Sequence, residues 1–158
     1  MPKPHHYDVR VTWTGNTGTG TDSYRSYERA HDITAAGVPP ILGSADPTFR
    51  GDPARWNPEQ LLLAALSQCH MMSYLHQCAV NGVVVTSYVD DAAATMVVAG
   101  GGGHFTEAVL RPRIEIAEES MRERALALHG PARDACFIAA SVNFPVHHEP
   151  SITVAGTA

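Results

Sequence analysis

No cluster of lysine and arginine occurs in the 158 residues, where 11 basic side chains against 16 acidic ones leave a formal charge of −5. A phosphate backbone demands a basic surface, so nucleic acid is excluded as a partner. Long apolar runs are missing too. The most apolar stretch, residues 61–66, is interrupted by Ser67, Gln68 and His70, too soon for a membrane span. The N-terminal Met-Pro-Lys-Pro-His-His lacks the apolar centre of a secretory leader. Cysteine is scarce: the three present read, in a chain with no export signal, as reduced thiols of the cytoplasm and not as a disulfide framework. No repeat or low-complexity segment appears. A composition of 44% apolar and 17% charged residues is that of a soluble globular protein, and the length suits one domain over 1–158.

Metal-ligand motifs are also absent. There are nine histidines, yet neither Cys-x-x-Cys nor His-Glu-x-x-His occurs. On one helix, ligands share an ion at spacings of three or four residues. Cys69 has Met72 and Ser73 at those offsets. His76 lies on its face but about 10 Å along the axis, and Cys78, nine residues on, points to the opposite side. No cofactor is signalled.

What is present is a strong helix signal. In "NPEQLLLAALSQCHMMSYLHQC", residues 57–78, Asn57 suits the N-cap, Pro58 the first position, and Gln60 completes a box-like Asn-x-x-Gln. Asn81-Gly82 supplies the stop. The spacing predicts a helix over about 58–80, roughly 34 Å long. Leu61–Leu66, Met71, Met72, Leu75 and Ala79 surround most of it, so burial on nearly every side is expected.

Before it, "YDVRVTW" (7–13) alternates as a half-buried strand, "GNTGTG" is a turn, and "DSYRSYERAHDI" (22–33) reads as a second strand. The proline- and glycine-rich loop 37–56 is long enough to suggest a function of its own. After the helix, "VVVTSYV", "ATMVVA" and "FTEAVLRPRIEIA" read as strands, with a reversal at Gly100–Gly103. Residues 118–129 and 130–141 read as helices, and "SITVA" as a last strand. The order β-β-α-β-β-β-α-α-β describes an α+β domain built around one long buried helix.

Of the cysteines, Cys78 reads as a small core hydrophobe. Cys69 differs, because Ser67, Gln68 and His70 bring something polar to the helix there. Cys136 opens "CFIAASVNFPV", where a similar polar-to-apolar switch occurs. "NPEQLLLAALSQCHMM" with the distant cysteine of "HGPARDACFIAASVNFPV", the Trp-x-Gly of the first strand and the long helix together resemble the OsmC/Ohr family: osmotically inducible protein C and the organic hydroperoxide resistance proteins. The resemblance covers essentially the whole chain. It implies antiparallel sheets around a long central helix, an intertwined homodimer with sites at its interface, and cofactor-free reduction of organic hydroperoxides.

By position the resemblance carries the peroxidatic role to Cys69, the resolving role to Cys136 and the motif glutamate to Glu59. Phe137 stands where members often have proline. The cation of the site corresponds to Arg50, nine residues before Glu59, or to Arg25 or Arg29 in the second strand. Cys69 would become a sulfenic acid and condense with Cys136 to a disulfide, reduced in turn by an external dithiol, which the family suggests is of the lipoyl type.

Along a straight helix Glu59 stands about 15 Å from Cys69, too far to serve it. Two copies packed antiparallel about an axis near Ala64 and Ala65 would bring Glu59 of one level with Cys69 of the other. His70, His129, Tyr24 and Tyr27 are further candidates for a substrate pocket, although His70 points about 100° from Cys69. A rival reading keeps the fold and makes the chain a non-enzymatic redox sensor or small-ligand binder responding through Cys69.

Overall fold

The computed structural model describes residues 1–156, in two compact units: Met1–Leu61, and a second that begins at Leu62. In the first, β1 (Arg10–Trp13), β2 (His31–Thr34) and β3 (Ile41–Gly43) form an antiparallel sheet in that order. Trp13 pairs with His31, and His31 with Gly43.

The second strand expected over 22–33 is confined to its last residues because the segment before it spends its hydrogen bonds on turns. Asn16 Oδ1 accepts from the amides of Gly18 (2.9 Å) and Gly20 (3.0 Å), and Thr17 Oγ1 donates to the Ser26 carbonyl. The Trp13 indole donates to Glu28 O at 2.9 Å, and Glu28 N–H donates to Gly15 O at 2.9 Å. A Cβ at position 15 would stand 1.9 Å from that Glu28 oxygen, so only glycine fits. The Trp-x-Gly signal is thereby explained locally.

The long loop is ordered by its own bonds. It contributes β3 and a 3₁₀ turn, Pro47–Phe49, capped by Asp46, whose side chain accepts from Thr48 N–H at 2.7 Å. Ser44 N–H then donates to Trp56 O at 2.8 Å.

α1 spans Pro58–Val80, as its caps predict. Gln60 N–H donates to Asn57 Oδ1 (2.8 Å) and Asn57 N–H donates to Gln60 Oε1 (3.2 Å), a reciprocal capping box. At the far end Gly82 takes φ 71° and Val83 N–H closes onto Cys78 O at 2.9 Å. Burial on α1 is narrower than the sequence predicts. Leu66, His70, Tyr74 and Cys78, four apart, form one buried stripe. Met72 and Leu75 are exposed in a single copy.

In the second unit, β4 (Val85–Asp90), β7 (Pro112–Ile116) and β9 (Ser151–Val154) make one sheet. β5 (Ala93–Ala99), β6 (Gly102–Leu110) and β8 (Val146–His148) make another. The run 105–117 is two strands, not one. Asp90 Oδ1 takes the Arg111 amide at 2.7 Å and Pro112 has no N–H, so the ladder breaks and the chain changes sheets. β8 lies parallel to β6, and β9 parallel to β7. The sheets are therefore mixed, a correction to the antiparallel expectation, and β8 is an added strand.

The two helices expected over 118–141 are shorter. A 3₁₀ turn (Glu119–Met121) leads into α2 (Arg122–Ala127), then α3 (His129–Asp134) and a last 3₁₀ turn (Ala139–Ser141). Pro131 has no N–H to donate back to Ala127 O, which favours a break between α2 and α3. Tyr74, Cys78, Val83, Ile114, Ile116, Ala125, Leu128 and Ala132 are the core. Each large side chain buried there stabilises the fold by about 1.5–3 kcal/mol. Among the described residues no helix is long and apolar enough to cross a membrane.

Candidate functional site

Cys69 sits on α1, beside the buried stripe, and is half-buried. Cys136, 2% exposed, lies just beyond α3, its N–H donating to Arg133 O and its carbonyl accepting from Ala140 N–H, both at 3.1 Å. The two thiols are neighbours, near enough for the Cys69 side chain to act on that of Cys136. Burial, then this contact with Cys69, pushes the Cys136 thiol up to about 11, although the amides of Ala139 and Ile138 pull the other way. Cys136 is thus a protonated thiol at neutral pH, and all three cysteines are free. Phe137 is 81% exposed. Cys78 packs in the core against Tyr74, and its thiol is raised by burial, as expected of a structural cysteine.

Beside the sulfur pair lies a group of histidines. His70 is 0% exposed and its Nε2 is 3.0 Å from Nδ1 of His129, itself 6% exposed. The His148 ring is 4.3 Å from that of His70, and Tyr74 stacks on His129 at 4.0 Å. Burial first, then the neighbouring His148, His129 and Arg133, drives His70 down to about 3. Burial and His148 drive His129 down to about 4. Both rings are neutral at physiological pH. Among the described residues no three His, Cys, Asp or Glu side chains are placed to hold a metal ion. The sequence offered His70 and His129 as separate pocket candidates. No spacing rule foretold that they bond to each other, or that His148 joins them, because the three come from α1, α3 and β8.

The remaining candidates lie in the first unit. Glu59 is half-buried, and its Oε2 is buried with no hydrogen-bond partner. Arg50 is exposed at φ 65°, the one non-glycine positive φ among the described residues, and its guanidinium is unpaired there. Arg25 is exposed as well. Arg29 is committed: it donates to Tyr27 O (2.5 Å) and Tyr24 O (2.8 Å) and lies over both rings, 4.1 and 4.4 Å from their centres. Tyr24 and Tyr27 thus serve Arg29.

The α+β fold thus carries one half-buried and one buried free thiol as neighbours. The family model described as OsmC-like protein matches residues 51–151, and the chain belongs to that family. An OsmC-like protein of unknown function from Vibrio cholerae is 32% identical, with a TM-score of 0.83 over 94% of this chain and 100% of that one. An organic hydroperoxide resistance protein from Legionella pneumophila shares the fold at 16% identity, with a TM-score of 0.65 over 97% and 100% of the two chains. The organic hydroperoxide resistance protein OhrB of Bacillus subtilis does so at 19% and 0.60, over 93% and 98%. Comparison with the curated proteins finds no match.

Proposed function

We propose that the chain is a thiol-dependent peroxidase of organic hydroperoxides, working as a homodimer in a reducing, cytoplasmic setting. The contact between Cys69 and Cys136, 67 residues apart in sequence, carries the reading. The Cys69 thiolate attacks the distal peroxide oxygen; the O–O bond breaks, and the alkoxide leaves to be protonated to the alcohol. Cys69 is then a sulfenic acid. Cys136 displaces its hydroxyl, which departs as water with the Cys136 proton, and a disulfide forms. An external dithiol reduces that disulfide by exchange, its own two thiols becoming oxidised.

Half of the pair is wet and half dry, which suits the roles. Half-buried Cys69 is open to substrate, while buried Cys136 stays a protonated reserve. Glu59 and Arg50 complete the site in this reading, Glu59 from a second copy. Apolar side chains left in the open by one copy point the same way: Val9, Val11 and Trp13 around β1, and Met72 and Leu75 on α1. Arg50 is uncommitted and held in a conformation that costs about 1–3 kcal/mol, whereas Arg29 is engaged by Tyr24 and Tyr27.

Reduced protein mixed with cumene hydroperoxide and dihydrolipoamide should consume peroxide over many turnovers, and Cys69→Ser should consume none. Turnover persisting in that variant sinks the mechanism. Disulfide formation without turnover under any dithiol would favour the redox-sensor alternative.

A further inference from the structure

The buried pair His70–His129 has no part in the peroxidase steps above, and it carries a cost. Two imidazoles share one hydrogen bond of 3.0 Å, while His70 Nδ1 and His129 Nε2 are buried without partners. Each unpartnered polar atom costs about 1–3 kcal/mol, so two apolar side chains of similar volume would hold α1 to α3 at least as firmly. What apolar packing cannot supply is register: a 3.0 Å nitrogen-to-nitrogen bond fixes a distance and a direction. His70 follows Cys69 on α1. His129 opens α3, whose end leads into Cys136 through the Cys136 N–H to Arg133 O bond.

We propose that the His70–His129 hydrogen bond is a positioning clasp, tying the helix that carries Cys69 to the helix that leads into Cys136 and so holding the two sulfurs in range for disulfide closure. The clasp concerns the Cys69–Cys136 pair on which the proposed function rests, but not the use of peroxide. It accepts one shared proton and fails with two, because an imidazolium on each side would turn donor against donor. The surrounding groups keep it neutral. Arg133 of α3 and His148 of β8 act against a further proton on His70, and His148 acts likewise on His129; His148 is itself lowered by burial, Arg133 and His147 and raised by Asp90 of β4. Tyr74 of α1 covers the His129 ring, its own hydroxyl turned to Ala125 O at 2.9 Å. By linkage, a clasp that favours the closed arrangement is itself favoured by the disulfide.

The test is redox equilibrium, without peroxide. Glutathione disulfide takes two electrons and two protons from the Cys69–Cys136 dithiol, giving the protein disulfide and two glutathiones. The equilibrium constant reads how well the thiols are placed. Residue 70 is compared as two amides differing by one methylene. His70→Gln reaches the position of Nε2 and should keep the constant within about threefold of the native protein; His70→Asn falls short and should lower it at least tenfold. Equal constants in the two variants would overturn the clasp. Should His70→Asn not fold, nitrogen NMR of the native dithiol decides: a scalar coupling across the His70–His129 bond supports the proposal, and its absence overturns it. If the native protein forms the disulfide here and yet never consumes peroxide, the proposed function fails while the clasp stands.

Discussion

Cys136 presents its buried thiol to the half-buried thiol of Cys69. Cys69 is only half-buried, whereas the Cys136 thiol is dry and holds its proton up to about pH 11. Asymmetry of this kind suits the two roles proposed for them.

One equivalent of organic hydroperoxide should therefore give a single intramolecular bridge, Cys69–Cys136, with Cys78 left free against Tyr74. Peptide mass mapping reads this directly. In Cys136→Ser the oxidation should stop at a sulfenic acid on Cys69, trapped by dimedone; a bridge to Cys78 there would contradict the core role given to that residue.

Alkylation should follow the same asymmetry. At pH 8, iodoacetamide should modify Cys69 first and leave Cys136 and Cys78 at least tenfold slower, since burial raises both thiols and restricts access. Denaturant should abolish the difference. Rates by mass spectrometry provide the check.

The histidines make stability fall in acid. His70 and His129 protonate near 3 and 4 in the fold but near 6.5 when unfolded. Between 6.5 and those values the unfolded chain binds protons that the fold refuses. Stability is full above pH 6.5 and lost as pH drops toward 4, by about 1.4 kcal/mol per pH unit for each histidine. His148, also lowered by its surroundings, adds to the loss. Urea titrations at pH 7.5 and 5 should show the drop, and His70→Gln with His129→Asn should flatten it.

Asn57→Ala removes the acceptor of the Gln60 amide, while the Asn57 backbone N–H that donates to Gln60 Oε1 remains. Stability should fall by about 1–2 kcal/mol, measured by chemical denaturation. Asn57→Asp, which keeps the acceptor, should lose less.

The exposed apolar positions of β1 and α1 should be an interface between copies. Sedimentation at micromolar concentration is expected to give a dimer, and Val11→Lys to shift it toward monomer with loss of peroxidase turnover. A native monomer would remove Glu59 from the site of Cys69.

Local signals were legible in the sequence, as α1 shows from cap to stop. The strand called from alternation over 7–13 survives only as Arg10–Trp13, and the predicted strand over 22–33 only at its end, because Asn16, Thr17 and Ser26 offer the backbone nearer partners. The single run 105–117 became two strands because Asp90, some twenty residues away, claims the Arg111 amide. That acceptor is invisible to periodicity. The same limit governs the site: the residues were named by resemblance, and the spacing within α1 told only that Glu59 and Cys69 cannot cooperate along one helix.

What the sequence by itself determined is therefore what neighbouring residues decide: the bounds of α1 from Asn57, Gln60 and Gly82, and the placing of Cys69 beside polar residues on it. What only the tertiary structure decided depends on contacts between distant segments. These are the parallel pairing of β8 with β6 and of β9 with β7, the approach of Cys69 and Cys136, and the bond between His70 and His129. The physical reason is range. Caps and turns are settled by hydrogen bonds within a few residues, whereas a sulfur pair or a buried imidazole pair exists only once packing has brought α1, α3 and the sheets together.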